Sequence, residues 1–234
     1  MSHRFLRLFL MTGLLCLVPS LAWGQLPSDP IIPLPPPMPP AGGVDWGQAE
    51  PVWDENGDPV IDQPYEDQGF DWVAYAFTAP LVDGSGSITA WAFLENPPEG
   101  TSRKDRKRWE DIKFWCNGLT FDHSILSPKG ADVEKILKAC WDKIPCDNRL
   151  QKGDIVVFRS KGGTYPDTSQ DPPVEKKLPP KGELVHSMIH NGDGTFSSKN
   201  GYLPHQKRVR FGKVNKVFWW AKRQCYRIKP SCKK

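Results

Sequence analysis

The chain has 234 residues, 31 Lys and Arg against 27 Asp and Glu, a formal net charge of +4 and 24 prolines. Its one strongly apolar run lies at the very start, which excludes a chain that crosses a membrane repeatedly by helices. Proline and charge are spread too unevenly for one uniformly packed unit.

Residues 1–24 read as a cleavable secretory signal peptide. Arg4 and Arg7 precede an apolar run over 8–18, and Ala22-Trp23-Gly24 supplies a small-x-small cleavage site. The run falls short of the roughly 18 to 20 apolar residues that span a bilayer. The mature chain is therefore expected from Gln25, with no membrane span, in a secreted or periplasmic location. Residues 25–43 follow as a proline-rich linker: eight of the fourteen residues over 27–40 are Pro, which favours an extended tether.

Charge then divides the chain. Residues 43–100 hold twelve acidic residues and no Lys or Arg; residues 101–234 hold 29 Lys and Arg against 14 acids, a net of +15. Two readings stand for the acidic, Trp-containing region over 44–100. It is solvated by its own charge, or, carrying Trp46, Trp53, Trp72 and Trp91, it lies over the basic domain of 101–234 as a cover, because opposite potentials attract and tryptophans need burial. A basic domain fits an anionic polymer as partner. Nucleic acid is not expected, given export and the lack of a nucleic-acid motif.

Cleavage leaves five cysteines, Cys116, Cys140, Cys146, Cys225 and Cys232. Five cannot all pair within one chain. Cys140/Cys146 and Cys225/Cys232 form two local clusters, so two disulfides are expected among these four, with three pairings open. Gaps of six and seven residues are too wide for a zinc finger, and neither metal nor cofactor is expected. Asp54-Glu55-Asn56-Gly57-Asp58 is similar to a calcium loop, but Pro59 stands where the loop needs glycine.

Along the basic region, Val133, Ile136, Leu137, Cys140 and Trp141 stand at helical spacing and predict an amphipathic helix over 131–141. Gly153-Asp154 turns the chain into Ile155-Val156-Val157-Phe158, a short buried strand, with Asp154 capping the turn. The Lys-, Pro- and Gly-rich stretch over 159–183 reads as a long loop. Residues 184–190 read as a strand, Asn191-Gly192-Asp193-Gly194 as a hairpin turn and 195–199 as the returning strand. If a four-residue turn closes with His190 opposite Thr195, His186 falls opposite Lys199. His123, His190 and Lys199 are read as solvated or hairpin-edge residues.

Taken in order, Trp115-Cys116-Asn117-Gly118-Leu119-Thr120-Phe121, Gly153 to Phe158, Val185-His186-Ser187 and Ser198-Lys199-Asn200-Gly201-Tyr202-Leu203-Pro204-His205 resemble the NlpC-type cysteine peptidases of the papain-like superfamily. The resemblance covers about residues 105–222. It implies an α+β papain-like fold in which a helix carrying the cysteine packs on an antiparallel sheet, with cell-wall peptides as substrate. It also implies Cys116 as nucleophile and His186 as base, with His205 or Asn200 orienting the imidazole. Thiolate attack on an amide carbonyl needs such a set: an imidazole and a helix N-terminus lower the thiol pKa, and a third polar group fixes the ring. Asn117 stands where some relatives carry His, and Asn200 where some carry Trp. The rival reading is a non-catalytic wall-binding or interaction module on the same scaffold.

Overall fold

The computed structural model describes residues 41–62, 73–94, 102–103, 106–107, 115–121, 126–167, 172–200 and 205–233. All fall within one compact unit, Ile32–Lys234. The signal peptide, the linker up to residue 40, Trp72 and His123 lie outside the described residues.

The acidic stretch folds into strands. They are β1 (Glu50–Pro51), β2 (Ile61–Asp62), β3 (Ala74–Pro80) and β4 (Ser87–Ala92). With β5 (Ser127–Pro128), from the basic region, they form a five-stranded antiparallel sheet in which β3 pairs with β1, β2 and β4, and β4 pairs with β5. In β4 the buried residues Ile88, Ala90 and Ala92 alternate with more exposed ones, the period of a strand with one face on a core.

The second sheet has six strands: β6 (Trp141–Ile144), β7 (Ile155–Ser160), β10 (Leu184–His190), β11 (Thr195–Ser198), β12 (Gln206–Arg210) and β13 (Ala221–Ile228), in the order β12-β11-β10-β7-β13-β6. All its neighbouring strands are antiparallel. With the sheets go α1 (Cys116–Thr120), α2 (Gly130–Cys140) and α3 (Phe211–Val217). The expected mixed α+β class, rich in antiparallel sheet, is what the described residues form.

Both faces of the six-stranded sheet are covered. On one, Ile155 and Val157 join Val44, Phe77, Phe121 and Ile136 in a core that spans both charge halves. On the other, Val156, Phe158, Met188 and Phe196 pack with Val214 and Phe218. That double burial is why β7 reads as the unbroken run Ile-Val-Val-Phe instead of an alternation. The amphipathic helix lies where expected, one residue earlier, with Val133, Ile136, Leu137 and Cys140 buried on its inner face. Trp141 turns extended and opens β6.

Apolar packing dominates the union of the acidic stretch with the basic region. Trp46 is buried at 3% exposure, whereas Trp53 is 43% exposed. Trp141 Nε1 donates to Gly42 O at 2.8 Å, a net contribution of roughly 1 kcal/mol. Charge enters at the edge: Lys129 pairs with Asp62 and sits 4.2 Å from the Trp91 ring centroid. An exposed pair of this kind is worth about 1 kcal/mol or less. The Asp54 segment is a turn, its Oδ1 accepting from the N–H groups of Asn56 and Asp58.

Two disulfides, Cys140–Cys232 and Cys146–Cys225, tie β13 and the C-terminal residues to α2 and to the loop after β6. Of the three pairings left open by the sequence, this is one of the two that cross between the clusters. The 159–183 stretch is not loop throughout: β8 (Thr164–Asp167) and β9 (Val174–Lys177) form a two-stranded antiparallel ribbon. Its β-pairing was hidden by Pro166 and by a lysine-rich, fully exposed β9.

The β10–β11 hairpin differs from expectation by one residue. His190 pairs with Phe196 and Met188 with Ser198. Asn191 N–H donates to Thr195 O at 2.9 Å, and Asp193 Oδ1 accepts from Thr195 N at 3.0 Å, so the turn is one residue tighter than the four assumed. Gly192 and Gly194 supply the positive φ values it requires. The slip places Phe196 on the core side, 4.9 Å from His190, and it reassigns every side chain of β11 relative to β10.

Candidate functional site

Cys116 opens α1, a five-residue helix preceded by extended Trp115. Trp115 N–H donates to Ser127 Oγ at 3.1 Å, and its ring meets Phe93 edge-on at 5.3 Å, so both ends of this entry are held. The thiol of Cys116 is the only free one among the described cysteines.

Beneath α1 lies a buried polar cluster. Asn117 Nδ2 donates to Pro128 O at 2.9 Å, and its Oδ1 accepts from Ser187 Oγ at 2.7 Å. Cys116 Sγ lies 3.6 Å from the same Oδ1. Thr120 Oγ1 stands 2.8 Å from Cys116 O and 2.9 Å from Ser187 Oγ; its single proton serves one of these at a time. Asn117 thus fastens α1 to β5 and β10, a role the sequence did not reveal for it. Burial pushes the Cys116 thiol above its ordinary pKa, and hydrogen bonds from Ser187 and Asn117 only partly oppose that rise. At neutral pH the group is a thiol.

His186 has different surroundings. The ring is 1% exposed, lies nearly parallel to Phe218 at 4.6 Å between centroids, and is 5.8 Å from Phe158. Its Nε2 is 2.9 Å from Ser198 Oγ. Loss of hydration lowers its pKa to about 4, so the imidazole is neutral.

The Cys116 helix and the His186 ring meet different faces of β10. Ser187, which meets α1, follows His186 in β10, and successive strand residues point to opposite faces. His186 accordingly shares its face with Phe158, opposite it in β7, and with the core of Met188 and Phe218. No hydrogen bond joins Cys116 to His186 among the described residues. The group on the imidazole is Ser198. Asn200 is exposed and His205 is half-buried at the entry to β12; neither is a hydrogen-bond partner of His186. Lys199 and His190, read from sequence as solvated or edge residues, are buried. Asp154 does cap its turn, accepting from Gln151 N–H at 2.6 Å, and it also holds Arg227 through both carboxylate oxygens.

Ser187, Thr120 and Ser198 all fall inside the motif stretches, so their neighbourhood was visible in the sequence but not their contacts. The described residues contain no cluster of three or more His, Cys, Asp or Glu suited to a metal ion, and no helix among them is long and apolar enough to cross a membrane. None of the known protein families, curated proteins or solved structures matches the chain.

Proposed function

We propose that the chain is an exported thiol hydrolase of amide bonds, with Cys116 as nucleophile and cell-wall peptides as the substrate class implied by its likeness to NlpC-type enzymes. The observation that carries this reading is the isolation of one thiol: four cysteines are tied in pairs, while Cys116 is left free at the start of a helix on the sheet. In the reaction the sulfur would attack the amide carbonyl, the C–N bond would break with a proton passing to the departing amine, and water would hydrolyse the thioester. A base must take the thiol proton first. With the thiol protonated and the imidazole on the other face, turnover requires a second arrangement in which the two come within about 3 to 4 Å. Pairing between β10 and β7 is irregular between Leu184 and His186, immediately beside the residues that would have to move.

The same separation favours a second reading, a non-catalytic interaction module on this scaffold. Release of new amino groups from peptidoglycan fragments separates the two. The enzyme reading expects release by the wild type and a loss of at least a hundredfold in both Cys116→Ala and His186→Ala. Unchanged release in Cys116→Ala, or none in the wild type, favours the module.

A further inference from the structure

The face of the sheet turned away from Cys116 carries a cavity of about 490 Å³, bounded by the loop after β6, the β10–β11 turn and the start of α3. That volume suits a small organic ligand. Its walls include Phe196 and Phe211, whose rings meet at 5.4 Å. Two cationic or donor groups reach it from different strands.

The first is Arg223, on β13. Its guanidinium lies over Phe211 with Cζ 4.8 Å from the ring centroid. None of the ion pairs or hydrogen bonds of the described residues uses it. The contrast with Arg227 is instructive, since that arginine is spent on Asp154. A guanidinium that contacts an aromatic ring and no carboxylate still has N–H donors to offer a carboxylate.

The second is His190, 6% exposed at the end of β10. Its Nδ1 accepts from Gly192 N–H at 3.2 Å, which leaves Nε2 as the ring nitrogen that can donate. Asp147 also lines the cavity, but Arg149 grips it through Nε at 3.0 Å and a terminal nitrogen at 2.6 Å, so its charge is already answered.

Aromatic walls with a guanidinium unpaired among the described residues and an imidazole N–H donor make a site for a carboxylate attached to an apolar body. We infer that this cavity binds a small organic carboxylate with an aromatic or branched apolar group, the carboxylate on Arg223 and the apolar group between Phe196 and Phe211. Such a ligand is either a free N-acyl amino acid or the C-terminal residue of a peptide. The inference does not rest on the hydrolase reading, because the cavity and α1 lie on opposite faces of the sheet.

Calorimetric titration of the full mature chain tests it, with three probes: N-acetyl-phenylalanine, its primary amide, and a hexapeptide ending in a free phenylalanine carboxylate. The acid is expected to bind about tenfold more tightly than the amide, equivalent to about 1.4 kcal/mol. Arg223→Gln should shrink that gap to under threefold with the amide unchanged, and Cys116→Ala should leave all affinities as they were. The Arg223 side chain makes no hydrogen bond or ion pair among the described residues, so its replacement should not disturb folding. Binding of the hexapeptide as tight as that of the short acid identifies a peptide end as the ligand, and its exclusion identifies a free acid; either supports the site. Equal binding of acid and amide by the wild type, a preference that survives Arg223→Gln, or no heat with any probe at 10 mM overturns it.

Discussion

His186 and Ser187 are neighbours in β10 with opposite commitments: Ser187 Oγ donates to Asn117 Oδ1 at 2.7 Å beneath the Cys116 helix, while His186 Nε2 meets Ser198 Oγ at 2.9 Å on the other face. The strand position that meets the Cys116 helix is thus Ser187, while the neighbouring His186 turns to the opposite face of β10. Burial also moves the pKa values of Cys116 and His186 apart, the thiol up and the imidazole down, which disfavours the ion pair in this arrangement.

Acid sensitivity follows from the imidazole. Its folded pKa of about 4 lies below the unfolded value near 6.5, so the unfolded chain binds the extra proton between those limits. Stability from this group is present above pH 6.5 and is lost as pH falls toward 4, by roughly 3 kcal/mol in total. Denaturant midpoints of the wild type and His186→Phe, which keeps a ring against Phe218, should converge over this window as pH is lowered. Parallel curves would contradict the assignment.

Ser187→Ala should remove the donor to Asn117 and leave buried polar atoms short of a partner, costing about 1–3 kcal/mol. A purely structural serine would do no more. Since Ser187 also lowers the thiol pKa, alkylation of Cys116 as a function of pH should shift its inflection upward in this variant. An unmoved inflection would show that the Ser187 hydroxyl does not touch the sulfur.

Thiol counting checks the covalent frame. A chain of residues 25–234 should yield one alkylated cysteine when denatured without reductant and five after reduction, and peptide mapping should join Cys140 to Cys232 and Cys146 to Cys225. Loops of 92 and 79 residues lie in the range where one disulfide contributes roughly 4 to 5 kcal/mol by the chain-entropy account. Cys232→Ser should therefore lower the melting temperature by many degrees.

Gly43→Ala probes the seam between the acidic stretch and α2. Gly43 has φ +94°, and an added Cβ would meet Cys140 Cβ at 2.5 Å, so a loss above about 2 kcal/mol is expected. Gly57, at φ +83° with open space around it, is the control and should lose about 1 kcal/mol. Equal, small effects would mean that residues near 43 do not pack on α2.

Local periodicity was legible in the sequence where a segment faces one core. The spacing of Val133, Ile136, Leu137 and Cys140 located α2 within a residue, and the span of β10 was read at both ends. The free cysteine was legible by counting. Which face a strand residue takes was not, because a one-residue change in a turn inverts it. The tight turn at Gly192-Asp193-Gly194 therefore puts Ser198, opposite Met188, on the face of the His186 ring, where the expected register had put Lys199. The fold of the acidic stretch was hidden for another reason: charge dominates its composition, whereas its few buried residues, Val44, Trp46, Phe77 and Ile88, find their partners in distant sequence.

The most direct measurement on the central claim is the intact mass of the mature protein, acid-quenched during incubation with peptidoglycan-derived peptides. The thiol-hydrolase account expects an acyl adduct that maps to Cys116, is lost on treatment with hydroxylamine and is absent from Cys116→Ala. Product peptides formed at wild-type rate by Cys116→Ala, with no adduct at any time, would contradict it.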